Sequence, residues 1–417
     1  MDSPLKNDII RAMKMIRRLA LREVLDASSE FPAVLVAGSR QVGKTTLLKC
    51  AAEKERKVVS LDSLTVRDLA RRDPATFLSA YSPPVFIDEI QYAPELLPYI
   101  KCIIDGRNDM CGGFWMSGSQ QFHLMKNVSE SLAGRVAVIT LGGISQGEEL
   151  GRDVRTGIFD VAEAISPDEC FQSGIEVYAR IHRGSFPAIV SGKVRNWDRF
   201  YKSYLTTYIE RDIHNLARVA DEDRFLKFVR AAAARTGQLL NLSDIARDVG
   251  VSVPTAKDWL GILKASNLVY LLQPYFRNIT SRIVKTPKLY FVDTGLCCNL
   301  LGWDSPKTLM NGAMAGAMLE TFVVGEILRR SWNVGKEPRL YFYRDRAGTE
   351  IDILIERNGV LEPIEVKKHS NPCLKDIKSF AKVRELGFPL GRGAVVCLAE
   401  RAVPLTSEVS VIPVGAL

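Results

Sequence analysis

The residues with the clearest chemistry are Gly38-Ser39-Arg40-Gln41-Val42-Gly43-Lys44-Thr45, which fit the pattern G-x-x-x-x-G-K-[ST] in full. Glycines let such a loop curl until successive backbone N–H groups point inward. The N-terminus of a following helix adds its positive end, so phosphate oxygens are the natural occupant. In this reading Lys44 neutralises the β- and γ-phosphates, the Thr45 hydroxyl ligates Mg²⁺, and Thr46 closes the phosphate-binding run. The strand AVLVA precedes the loop and the helix-forming TTLLKCAAEKE follows it. A second element, PPVFIDEIQ at 83–91, is an apolar strand ending in two carboxylates. Asp88 is placed to hold the water shell of the Mg²⁺, and Glu89 to polarise the attacking water. The bland alternative is a buried strand that merely ends in solvated acids. With the loop upstream, the pair predicts ATP binding with Mg²⁺ and its hydrolysis.

Two further groups of residues suggest chemistry. Leu242 to Gly250 followed by Val251 to Trp259 has the pattern of a helix-turn-helix. Ile245, Ala246 and Val249 form one apolar face, Gly250 permits the turn, and Ser252 caps the second helix before Pro254. The following stretch reads as a β-hairpin wing. Between Leu268 and Val292 it carries Arg277, Arg282, Lys285 and Lys288 and no acidic residue. With Lys257 on the second helix these are candidate DNA contacts; a protein-binding or lid module is the alternative. In the C-terminal part, Glu350-Ile351-Asp352-Ile353-Leu354-Ile355 and Leu361 to Lys367 flank a turn at Asn358-Gly359. Period-two alternation puts Ile351, Ile353 and Ile355 on one face, with Glu350 and Asp352 on the other. Acids are depleted in strands, so several in one hairpin ask for a reason. A solvated face with Asp–Lys cross-strand pairing is the plain one.

These groups need elements to position them. From residue 31 to about 142 short apolar strands alternate with helical stretches: Ala33–Ala37, Lys57–Leu61, Pro84–Asp88, Gly113–Ser117 and Val136–Leu141. Such alternation predicts a parallel five-stranded sheet covered by helices. Residues 142–168, rich in Gly and acids, read as a connector. Residues 176–300 read as mainly helical up to the hairpin, and a helix over 312–330 precedes the C-terminal strands. The expected domains are 1–165, 166–305 and 306–417, since 417 residues exceed one core. No apolar run is long enough to span a membrane. Residues 1–24 read as an amphipathic helix rather than a signal peptide. The 8 cysteines form no C-x-x-C pair and only 4 histidines are present, which argues against structural zinc and for a reduced, cytoplasmic setting. The net charge of +8 permits an acidic partner without requiring one.

The motifs GSRQVGKTTLL, LD at 61–62, DP-x-x-F at 73–77, FIDEIQ, SGSQQF and SLAGR occur in that order. As a set they resemble a widespread prokaryotic family of AAA+ ATPases whose C-terminal half is a domain of unknown function. That resemblance implies an α/β fold: an AAA+ P-loop domain, then a helical lid with the winged helix, then a further α/β domain. It implies that Ser117 is the polar sensor of the γ-phosphate, with Ser119 as fallback. It places Arg135 as an arginine finger supplied to a neighbouring subunit, hence a homo-oligomer. Arg183 and Arg211 are equal candidates for a second sensor arginine. Separately, Glu320, Asp352, Glu365 and Lys367 resemble the PD-(D/E)XK nuclease pattern, with Ile351 where the name-giving motif has proline. That likeness implies a nuclease-like metal site. Three functions follow: a DNA-remodelling or translocating ATPase, a regulatory or defence-type ATPase with protein-binding modules, or an ATP-gated DNA nuclease.

Overall fold

The computed structural model describes residues 16–107, 109–119, 128, 130–152, 172–208, 222–275, 286–345, 348–385 and 387–417. Short β-branched and apolar runs become β1 (Ala33–Ala37), β2 (Lys57–Ser60), β3 (Val85–Asp88), β4 (Phe114–Gly118) and β5 (Val136–Thr140). They form one parallel sheet in the order β2-β3-β4-β1-β5. A central parallel strand is covered on both sides, which explains why all of AVLVA is buried and apolar.

Each face of this sheet has its own layer. Helices Leu64–Arg72, Pro74–Ala80 and Leu96–Asp105 supply one side, where Leu35, Ile87 and Met116 pack with Phe77, Leu97 and Ile100. The second of these helices starts cleanly because Asp73 accepts from Thr76 N at 3.0 Å and Pro74 occupies the first turn. Helices Ala20–Glu30 and Lys44–Ala51 cover the other side. There Val34, Val36 and Trp115 belong to a core that continues through Tyr178, Phe186 and Phe322 to residues of the C-terminal strands.

Beyond the sheet come helices Gly174–Arg183, Pro187–Val190, Trp197–Tyr208 and Glu222–Ala233, then β6 (Gln238–Leu239). Helix Leu242–Val249 is capped by Asn241, turns at Gly250 with φ 76°, and is followed by helix Val253–Ala265, capped by Ser252. The hairpin strands are β7 (Val269–Pro274) and β8 (Lys288–Phe291), paired antiparallel from Val269↔Phe291 to Leu272↔Lys288. They do not stand out as a free wing. β8 also pairs with β6, and β7 runs parallel to β9 (Leu340–Arg344), so both edges of the hairpin are used. The tip, with Arg277, Arg282 and Lys285, lies outside the described residues, as do Arg211 and residues 1–15.

The C-terminal part adds helix Ala315–Trp332, β10 (Glu350–Arg357), β11 (Val360–Lys367), helix Lys378–Glu385, β12 (Gly393–Cys397), β13 (Val403–Pro404) and β14 (Val409–Pro413). The full sheet runs β13-β14-β12-β11-β10-β9-β7-β8-β6. Asn358 and Gly359 take φ of 50° and 78°, the left-handed pair a tight hairpin turn needs. The expected alternation on β10 fails, because a bulge between Ile351 and Leu354 shifts the register against β9. Ile351 and Leu354 therefore pack on one side of the sheet, and Ile353 and Ile355 on the other. No helix among the described residues is long and apolar enough to cross a membrane.

Candidate functional site

The phosphate loop leaves the C-terminal end of β1 and enters helix Lys44–Ala51. Gly38 admits no side chain: a Cβ there would stand 2.2 Å from the Leu141 carbonyl oxygen, because β5 ends against β1. Gly43 starts the helix with a φ of 94°, open to glycine and strained for other residues. Lys44 is buried and its Nζ donates to the carbonyls of Gly38 at 3.0 Å and Ser39 at 2.9 Å. Val42 is buried, while Gln41 and Thr46 are exposed. Arg40 reaches toward the Tyr92 hydroxyl at 3.4 Å.

Parallel register brings the acidic pair to the same end. Ile87 lies opposite Met116, and Val36 opposite Ser117, so β3, β4 and β1 deliver Asp88, Ser117 and the loop side by side. Thr45 Oγ1 donates to Asp88 Oδ1 at 2.9 Å, and Ser117 Oγ donates to the same oxygen. The Glu89 N–H donates to Ser117 Oγ at 3.2 Å, and Glu89 takes φ 59°, which turns it out of the strand line. Gln91 was not singled out from the sequence. Its Nε2 donates to Glu89 Oε2, and its Oε1 is buried without a hydrogen-bond partner among the described residues. Ser119 is buried one residue past β4, with its Oγ likewise unpartnered.

The stretch after β5, read as a connector, is instead buried from Leu141 to Glu148. Its acids go inside because arginines meet them. Arg18, just before the first described helix, pairs with Glu148 at 2.9 Å and donates to the carbonyls of Val42 at 2.7 Å and Gly142 at 2.9 Å. It thus ties the phosphate loop to the end of β5. Burial pushes the Glu148 carboxyl up, but the Arg18 charge and the N–H groups of Ser145 and Leu19 outweigh it and hold its pKa below the ordinary value. Arg183 grips Glu149 with both Nη atoms, at 2.8 and 2.7 Å. Gln146 Nε2 donates to the carbonyls of Val414 and Leu417 at 2.9 and 2.8 Å, joining the same stretch to the far end of the chain.

Arg135 sits at the opposite end of the sheet from the loop. Its carbonyl accepts from Ala33 N, at the start of β1, while the loop begins after Ala37. Five strand residues separate the two, about 16 Å. The guanidinium rests on Asp105, with Nη2 3.1 Å from Oδ2.

The C-terminal residues meet differently from expectation. Lys288 is not a surface cation of a wing. It is buried, with Nζ 3.0 Å from Glu320 Oε1 and 2.6 Å from Glu350 Oε1. The strand pattern hid this, because β8 is covered on both sides and the charge is met by acids from other elements. Glu365 pairs with Lys367 at 2.7 Å, and Asp352 Oδ2 accepts from Val366 N at 2.9 Å. Burial, then the Asp352 charge, pushes the carboxyls of Glu320 and Glu365 upward. Among the described residues no three acidic, histidine or cysteine side chains come together as a group fit to hold a metal. Lys257, in contrast, is exposed on helix Val253–Ala265.

The phosphate loop lies within a segment that is similar to known proteins. Residues 30–150 match a family model described as an AAA domain. Residues 176–307 and 315–417 match two models described as domains of unknown function, DUF8612 and DUF4143. The chain is 29% identical over 405 residues to the uncharacterized protein Rv2008c of Mycobacterium tuberculosis, covering 97% of this chain and 85% of that protein. The same figures hold for the uncharacterized protein Mb2031c of Mycobacterium bovis. Among solved structures, the Walker-type ATPase PABY2304 of Pyrococcus abyssi aligns with a TM-score of 0.42 at 16% identity, over 67% of this chain and 94% of that one. With Lys44, Thr45, Asp88 and Glu89 assembled at one end of a parallel sheet inside the matched segment, the chain carries an AAA ATPase domain and is an enzyme that hydrolyses ATP.

Proposed function

We propose that this ATPase is magnesium-dependent, assembles into a homo-oligomer and acts on DNA. Thr45 and Asp88, already joined at 2.9 Å, are a hydroxyl and a carboxylate of the kind that holds Mg²⁺ beside nucleotide phosphates. That ion would supply charge for the phosphate oxygens. The chain's own groups do the rest. Lys44 swings from its loop carbonyls to the β- and γ-phosphates. Glu89 accepts a proton from the attacking water, with Gln91 fixing one carboxylate oxygen, and Ser117 senses the γ-phosphate. Arg135, too far from its own loop, serves the loop of a neighbouring subunit.

The observation that carries the DNA reading is the helix-turn-helix, whose second helix turns Lys257 and Lys264 outward. ATP turnover measured with and without single-stranded, duplex and branched DNA tests it; stimulation is expected, and equal rates in all four conditions contradict it. Three observations favour a second reading, a regulatory ATPase with protein-binding modules. The hairpin beside the helices is built into a sheet, Lys288 is buried, and Val253 at the head of the second helix is 45% exposed.

A further inference from the structure

Two carboxylates, Glu320 on a helix and Glu350 on a strand, converge on one point, a place where a cation is needed. Here protein donors stand in the way. The Lys288 side chain, 3% exposed, bonds carboxylate oxygens from both helix Ala315–Trp332 and β10. The Tyr290 hydroxyl donates to the same oxygen of Glu320. On β11 both oxygens of Glu365 are taken, Oε2 by Lys367 at 2.7 Å and Oε1 by the Ser379 hydroxyl at 2.9 Å. Asp352 Oδ2 is held by a backbone N–H. Mg²⁺ needs oxygens at about 2.0–2.1 Å in near-octahedral array, and would have to expel an ammonium that has nowhere wet to go.

We propose that the Lys288 ammonium is the resident cation of this cluster, standing where a divalent metal would stand, so that the C-terminal sheet takes up no Mg²⁺ or Mn²⁺ there. The ammonium comes from β8 and the carboxylates it meets are those of Glu320 and Glu350. The cluster is thus an ionic joint between the hairpin and the C-terminal strands, and no metal-assisted phosphodiester cleavage occurs at it. This refines the reading of the C-terminal sheet and is independent of the DNA role of the helix-turn-helix.

The test is Mn²⁺ binding by the full, nucleotide-free chain, followed by the electron paramagnetic resonance signal of free Mn²⁺. The wild-type chain should show no Mn²⁺ uptake that Asp352→Asn removes. Lys288→Met should tighten Mn²⁺ binding by roughly tenfold or more, and adding Asp352→Asn should remove the gain. Mn²⁺ uptake by the wild-type chain that Asp352→Asn abolishes would overturn the proposal. So would a folded Lys288→Met chain that takes up no Mn²⁺. If Lys288→Met does not fold, the comparison of wild type with Asp352→Asn decides alone. DNA stimulation of ATP turnover, read on the same samples, moves separately and reports on the proposed function instead.

Discussion

Replacing Arg18 by Met should loosen the phosphate loop and strand a buried acid. The side chains of Arg18 and Glu148 are 9% and 0% exposed and pair at 2.9 Å. Methionine keeps most of the volume but removes that pair and the donors to Val42 and Gly142. Breaking one partner of a buried pair costs about 3–5 kcal/mol. Glu148 keeps N–H donors from Ser145 at 2.9 Å and Leu19 at 3.0 Å, which favours the lower end, about 3 kcal/mol. Glu148→Gln in the same chain removes the stranded charge, so the double variant should cost less than the sum of the singles by about 1–3 kcal/mol. The assay is urea unfolding without nucleotide at about pH 7 and about pH 5. In the wild type the folded Glu148 pKa is depressed, so its contribution is complete above 4.5 and lost as pH falls through the folded value. Without Arg18, burial is opposed only by the N–H groups of Ser145 and Leu19 and the folded pKa moves up from its wild-type position; the deficit is then full at neutral pH and shrinks as pH falls through that raised value. Strict additivity, or a deficit equal at both pH values, would refute this account of the clasp.

Arg135→Ala should lower ATP turnover by roughly 10³-fold, and mixing it with Lys44→Ala subunits should restore activity; co-assembled mixtures without recovery contradict a shared site. Gln91→Ala should reduce kcat by ~10- to 100-fold with KM for ATP little changed, and should add nothing in a Glu89→Gln background. An equal further loss there would show that Gln91 does not act through Glu89. Replacing Lys257 and Lys264 by Ala should flatten the slope of log DNA affinity against log salt by about two units. An unchanged slope, measured by fluorescence anisotropy on folded protein, favours the protein-binding reading.

What could be read from the sequence was what is local in it. The phosphate loop occupies consecutive residues, and a strand buried on both sides, such as Ala33–Ala37, announces itself by composition alone. Contacts between distant residues left no such mark. Glu148 looked like a connector acid because its partner, Arg18, lies 130 positions away. Lys288 looked like a wing cation for the same reason: charge does not report burial, and Glu320 and Glu350 sit on other elements. The bulge in β10 breaks the alternation that the residues Ile351 to Ile355 predict. Gln91 did have a signal, two positions after Glu89 in FIDEIQ, and geometry was needed to give it a task.

The central claim is that Glu89 drives hydrolysis at a site Lys44 and Thr45 build for ATP. Turnover and ATP affinity of Glu89→Gln, measured side by side with the parent chain, test it most directly. The chemistry assigned to Glu89 predicts ATP affinity close to the parent's and phosphate release slower by about 10²-fold or more. Phosphate release near the parent rate would contradict it.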